Sequence, residues 1–151
     1  MFRKNTKHLQ PALISAVSEL PEKQINMLKE SWANSFYEDF FCLIDEEGFS
    51  DNYSDEPSRP NVPVNVLVGL EVMKSGFGWS DADLYENFCF NLQVRYALGY
   101  DRLGDGDFAI RTLYYFRERL SKHCLETREN LLEQAFKQIT DTQIHNLQVR
   151  T

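Results

Sequence analysis

Residues 63–80 read PVNVLVGLEVMKSGFGWS, and the way this run folds separates an all-α chain from a mixed one. Its β-branched valines suit a pleated strand. Yet Val64, Leu67, Val68, Val72 and Met73 fall at the three- and four-residue spacing of one helical face. Pro63 stands where a helix favours proline, and Gly76 and Gly78 supply a stop. The spacing predicts a helix, and the valines leave a strand open as the alternative.

Working outward, the same periodicity recurs on both sides. Ser80 is an N-cap candidate, and Asp81 and Asp83 fall in the first turn, where negative side chains complement the helix dipole. A helix is predicted from Asp81 to about Asn91, with Leu84, Phe88 and Cys89 inward, followed by a helical LQVRYALG that closes at Gly99. Upstream, Pro21 and Glu22 open a helix whose Ile25, Leu28, Trp32, Phe36, Phe40 and Leu43 or Ile44 form one stripe, unbroken or kinked near Asn34-Ser35. This aromatic stripe reads as a packing face, with a ligand pocket as the alternative. Gly48 ends it, and the turn-forming EGFSDNYSDEPSRPNVP that overlaps it reads as an exposed connection.

Residues 104–120, GDGDFAIRTLYYFRERL, pose a different choice. Counting twelve positions from Asp101 or Asp105 ends on Thr112 or Phe116, so neither frame supplies the bidentate Glu of a calcium loop. The Walker spacing and its Lys are also missing. The segment therefore reads as a turn with Asp107 as N-cap or first-turn acid, launching a helix from Phe108 to His123. At 100° per residue, Ala109, Leu113, Phe116, Leu120 and Cys124 share the core face. The opposite side gathers Arg111, Tyr115, Glu118, Arg119 and Lys122, chemistry suited to phosphates and base edges. The plainer reading of that side is a solvated face on which Glu118 pairs with Lys122. Arg117 projects to the flank of the apolar face, where it is expected to brace packing through Glu86 or Asp83. A further helix is predicted from Arg128 to Ile139, carrying Leu131, Leu132, Ala135 and Phe136, and another short one from Thr140-Asp141.

The expected fold is all-α: a compact multi-helix bundle with a helix-turn-helix-like core. Residues 1–20 are a loosely ordered lead-in with a short helix near Ala12 to Val17. Residues 21–138 form the helical domain, with an acidic linker over 45–62, and residues 139–151 a short helix or linker.

At 151 residues the chain suits one domain, and 42% hydrophobic content is too rich for disorder. No apolar run approaches the roughly 20 residues of a membrane span, and the basic MFRKNTKHLQ lacks the continuation of a secretory signal, so a cytoplasmic location is expected. Cys42, Cys89 and Cys124 lie in apolar patterns without CxxC spacing and are expected as buried thiols. His8, His123 and His145 are scattered, so no metal, cofactor or catalytic constellation is predicted. The net charge of −7 opposes indiscriminate attraction to nucleic acid. Charge is segregated, however. Glu38, Asp39, Asp45, Glu46, Glu47, Asp51, Asp55 and Glu56 fall between Tyr37 and Pro57 without a Lys or Arg. From Phe108 to Arg128 the bases Arg111, Arg117, Arg119, Lys122 and Arg128 outnumber Glu118 and Glu126.

Over residues 57–122 the ordered combination of Arg59-Pro60, Gly78, Ser80-Asp81, Leu98-Gly99, Thr112-Leu113 and Phe116-Arg117 resembles the N-terminal helical domain of bacterial insertion-sequence transposases of the DDE class. Where that family often carries His-Ser before Thr-Leu, this sequence has Ala109, Ile110 and Arg111. The resemblance implies a non-catalytic domain that recognises or positions the double-stranded DNA of transposon ends; the basic helix face read from spacing, Arg111, Tyr115, Arg119 and Lys122, supplies the candidate DNA-contacting residues. It also implies a ribonuclease-H-like catalytic domain as partner, beginning beyond residue 151. Asp141, in a Thr-Asp-Thr-Gln context without a preceding apolar strand, reads as a cap rather than that domain's first catalytic carboxylate. The alternative role is self-association, as a homodimer, or docking onto the catalytic domain without DNA contact, suggested by the long aromatic stripe.

Overall fold

The structure, a computed structural model, describes residues 1–9, 18–53 and 61–150. Among these residues every regular element is helical. The expected helix near Ala12 to Val17 and the Arg59-Pro60 pair lie outside the described residues.

Residues 63–80 settle as a helix, α3 (Val64–Phe77), numbered after α1 (Glu22–Lys29) and α2 (Trp32–Asp39). Val64 through Leu70 are buried without interruption, so α3 is the central helix and is apolar on nearly every side. The valines follow burial rather than strand propensity. Gly69 lets the chain's next layers close in, since a Cβ there would stand 2.6 Å from Leu98. Gly78, at φ +68°, ends α3 in a left-handed cap.

α4 (Asp81–Phe90) begins as expected: Ser80 Oγ accepts from Asp83 N while the Asp83 carboxylate accepts from Ser80 N, a reciprocal capping box. Its Leu84 and Phe88 are buried. Asn91 alone joins it to α5 (Leu92–Ala97), its Oδ1 accepting from Gln93 N and Val94 N. α5 packs on α2, where Tyr96 donates its hydroxyl to Asn34 Oδ1 at 2.6 Å. α6 (Arg111–Thr127) and α7 (Leu131–Arg150) complete the body. α4 and α6 are not consecutive, because α5 and the loop through residues 98–110 lie between them. No described helix is long and apolar enough to cross a membrane.

Several boundaries differ from those predicted. The α1–α2 stripe breaks at Glu30-Ser31, not near Asn34-Ser35, because Ser31 caps α2 by accepting from Ala33 N and donates to Leu28 O at 2.6 Å. The acidic segment forms 3-10 turns at Phe41–Leu43 and Glu46–Asn52. In the second turn the three-residue repeat turns Glu46 and Phe49 inward and leaves Glu47 and Asp51 exposed. α6 starts at Arg111 rather than Phe108, because the Phe108 ring is held on Phe88 at 4.7 Å and its carbonyl accepts from Tyr85 Oη at 2.8 Å. Ala109 is consequently exposed outside the helix, Ile110 is the N-cap, and Asp107 caps nothing. Leu113 and Phe116 are buried and Leu120 half-buried, whereas Cys124 lies beyond the packed portion of α6 and is exposed.

α7 runs unbroken through Thr140 and Asp141, so Asp141 is a mid-helix residue and not a cap. Leu131, Ala135 and Ile139 are buried, and Gln143 Nε2 reaches back to Asp39 O at 2.6 Å. The thiols are free but not buried as a set: Cys42 and Cys124 are exposed, and Cys89 is half-buried. In the first 3-10 turn the neighbouring Phe41 takes the inward position. Residues 1–9, expected to be loose, are docked. Asn5 N donates to Glu46 Oε2 at 2.8 Å, Arg3 N donates to Asn61 Oδ1 at 2.7 Å, and the His8 ring meets Phe41 at 5.1 Å.

Candidate functional site

α6 is fixed by one arginine on its flank. Arg117 Nε donates to Glu71 Oε1 of α3 at 2.7 Å, and Nη2 donates to Asp81 Oδ1 of α4 at 2.6 Å. Lys74 stands 3.5 Å from the same Asp81 oxygen. A guanidinium offers donors in a rigid fork, so one side chain ties three helices together. The hydrogen bond from Arg117 holds the Asp81 carboxyl below its ordinary range, and Asp81 holds the Arg117 guanidinium more firmly protonated. The bracing role anticipated for Arg117 thus falls on Glu71 and Asp81 rather than Glu86 or Asp83. Asp83 is engaged by Ser80, and Glu86 points to solvent on the exposed side of α4.

The opposite face of α6 is open. Arg111, Arg119 and Lys122 are exposed, and Tyr115 is 50% exposed. Successive spacings of four, four and three put these side chains on one strip, away from Leu113 and Phe116. Lys122 pairs not with Glu118 but with Glu126, at 3.9 Å and with both side chains mostly exposed. Such a contact is weak and screened by salt, so it leaves the ammonium ready to exchange partners. Arg119 lies over the Tyr53 ring at 4.7 Å. Tyr53 lies in the acidic, turn-rich segment, and nothing in its local pattern marks it as a support for this face.

The GDGD loop has a structural occupant that sequence reasoning also missed. Arg95, on α5, is 1% exposed. Its Nη2 donates to the carbonyls of Arg102 and Asp105, and Nη1 donates to that of Phe88 at 3.5 Å. The guanidinium carbon sits 4.7 Å from the Phe88 ring and 4.3 Å from that of Tyr100. Gly106, at φ +67°, is needed because a Cβ there would collide with the Tyr100 ring. The loop is therefore wrapped on a buried cation through its backbone carbonyls. Burial pushes the Tyr100 hydroxyl up to about 12.

A second feature lies between α3 and α7. A groove of about 720 Å³ is lined by residues including Val72, Trp79, Leu132 and Phe136. Aromatic contacts continue beside it from Trp79 to Phe77 at 4.6 Å and from Phe77 to Trp32 at 5.1 Å.

No curated protein and no solved structure matches the chain. Residues 26–119 match the family described as Transposase domain (DUF772). The matched span covers more than half of the sequence, running from α1 into α6 and taking in the brace, the Arg95 loop and the outward Arg111, Tyr115 and Arg119. With the all-helical fold, this match places the protein: the chain belongs to the transposase-domain family DUF772.

Proposed function

We propose that this chain is the non-catalytic N-terminal domain of a DNA transposase and that it recognises or positions transposon-end duplex DNA through the outward face of α6. The observation that carries the reading is the exposed strip of Arg111, Tyr115, Arg119 and Lys122 on a helix held from behind by Arg117. Cations contact phosphates, and the Tyr115 hydroxyl can donate to a phosphate or meet a base edge. A braced helix presents these groups without a large ordering cost on binding. The net negative charge of the chain leaves attraction to local groups of cations such as this strip, so binding is salt-sensitive and local. Titrating the chain against terminal-repeat and scrambled duplexes over a salt series tests the reading: tighter binding to the repeat supports it, and undetectable binding to both contradicts it.

A second reading, self-association or docking onto the catalytic domain, is favoured by the groove between α3 and α7, where Phe136 is 43% exposed, and by Phe77 beside it, 49% exposed. Sedimentation that shows a concentration-independent monomer without affinity for the catalytic domain would exclude it.

A further inference from the structure

The basic amino-terminal residues are not a loose leader, and their position gives them a use. Two anchors bracket them. On one side the Phe2 ring lies 5.7 Å from the Tyr53 ring, the same ring that carries Arg119 at 4.7 Å. On the other, Asn5 N donates to Glu46 Oε2 at 2.8 Å, and Asn5 Nδ2 donates to Asn65 Oδ1 at 3.0 Å. The Glu46 carboxylate is buried, and its other oxygen accepts from Asn65 N at the start of α3. Between these fixed points Arg3 and Lys4 are exposed. Tyr53 thus joins the chain's basic amino-terminal arm to the basic face of α6, elements more than 100 residues apart in sequence.

We propose that the arm completes the DNA-contacting surface: Arg3 and Lys4 join Arg119 as phosphate contacts, with Tyr53 as the positioning residue that both elements share. This rests on the reading of α6 as a duplex-contacting helix. Arg119 stays exposed over the Tyr53 ring and loses rotamer freedom in advance, so less is lost when a phosphate arrives. The buried Glu46 fixes the arm without placing its own charge at the surface. The exposed Glu47 and Asp51, on the turn that leads to Tyr53, repel a duplex and so confine its contacts on this side to the cations. Lys7 differs from Arg3 and Lys4 in place: it lies beyond the Asn5 anchor, beside Asp105 of the loop around Arg95, and not between Phe2 and Asn5.

The experiment uses the full chain and a random-sequence DNA duplex, with affinity measured across a salt series and folding checked by circular dichroism. Replacing Arg3 and Lys4 by Ala together is expected to flatten the slope of log affinity against log salt by about 0.9 for each lost contact and to weaken binding by roughly tenfold or more at low salt. Lys7→Ala should leave the slope unchanged. Tyr53→Phe should bind as the native chain does, whereas Tyr53→Leu should lose affinity while still folding. A native slope in the Arg3/Lys4 variant, alongside a reduced slope when Arg111, Arg119 and Lys122 are replaced, would overturn the arm and leave the α6 reading standing. A loss from Lys7→Ala equal to that of the Arg3/Lys4 variant would reduce the effect to net charge and also overturn the arm. A native chain that binds no duplex at low salt would overturn the α6 reading and the arm with it.

Discussion

Arg117 and Arg119 stand two residues apart on one helix and have opposite fates. Arg117 turns toward α3 and α4, where two carboxylates take its guanidinium at 2.7 and 2.6 Å. Arg119 turns outward, and its support is a ring rather than an acid, 4.7 Å away. The first cation is consumed by the fold, while the second keeps its charge available. Arg95 carries the first case further, since it is fully buried among carbonyls and rings, with no ion pair to a carboxylate among the described residues. The charge of a helix segment therefore does not by itself say which cations stay available to a partner; what flanks each cation decides.

The comparison can be broken most forcefully at its buried end. Arg95→Ala removes three donated hydrogen bonds and the filler between Phe88 and Tyr100, so unfolding in denaturant should show a loss of about 3–4 kcal/mol. The loop over residues 101–107 should lose hydrogen-exchange protection at the same time. A loss below about 1 kcal/mol would mean that the loop does not depend on that cation.

At the brace, Arg117→Ala leaves Glu71 and Asp81 without their principal donor. These groups are partly exposed, so the expected loss is smaller, about 1–2 kcal/mol, and Arg117→Lys should recover only part of it. Acid should sharpen the assignment. The folded-state pKa of Asp81 is lowered from 3.8 by Arg117, so the stability it contributes is present above 3.8 and is lost as pH falls through the folded value. The stability gap between native and Arg117→Ala chains should therefore narrow on acidification below 3.8, and a gap independent of pH would assign the brace to packing. On the outward face, single Ala replacements of Arg111, Arg119 or Lys122 should change stability by no more than about 0.5 kcal/mol. A larger loss at any of them would move that residue to the structural side of the comparison.

Much of the architecture was legible in the sequence because it rests on local chemistry. Ser80 and Asp83 form their capping box from neighbours, and the α3 periodicity outweighed its valines once the helix was central. The outward strip of α6 followed from helical spacing alone. What escaped the reading depends on contacts distant in sequence. Phe108 is kept out of α6 by Tyr85 and Phe88, and Ser31 ends the first stripe by bonding Leu28. Glu46 is an acid in an acidic run until Asn5 and Asn65 surround it, and Arg95 is one arginine in LQVRYALG until the loop closes over it. The acid that opens α4 was visible as a first-turn residue, but only the fold shows that it meets Arg117.

The central claim is that the cations left outside by the fold are the ones that meet DNA. The most direct measurement is the salt dependence of duplex affinity for the native chain and for a chain with Arg111, Arg119 and Lys122 all replaced by Ala, with unfolding curves recorded on both. Unfolding curves should remain cooperative in both, and the slope should be shallower in the variant by about 0.9 per lost phosphate contact. Equal slopes and equal affinities in two folded proteins would contradict it.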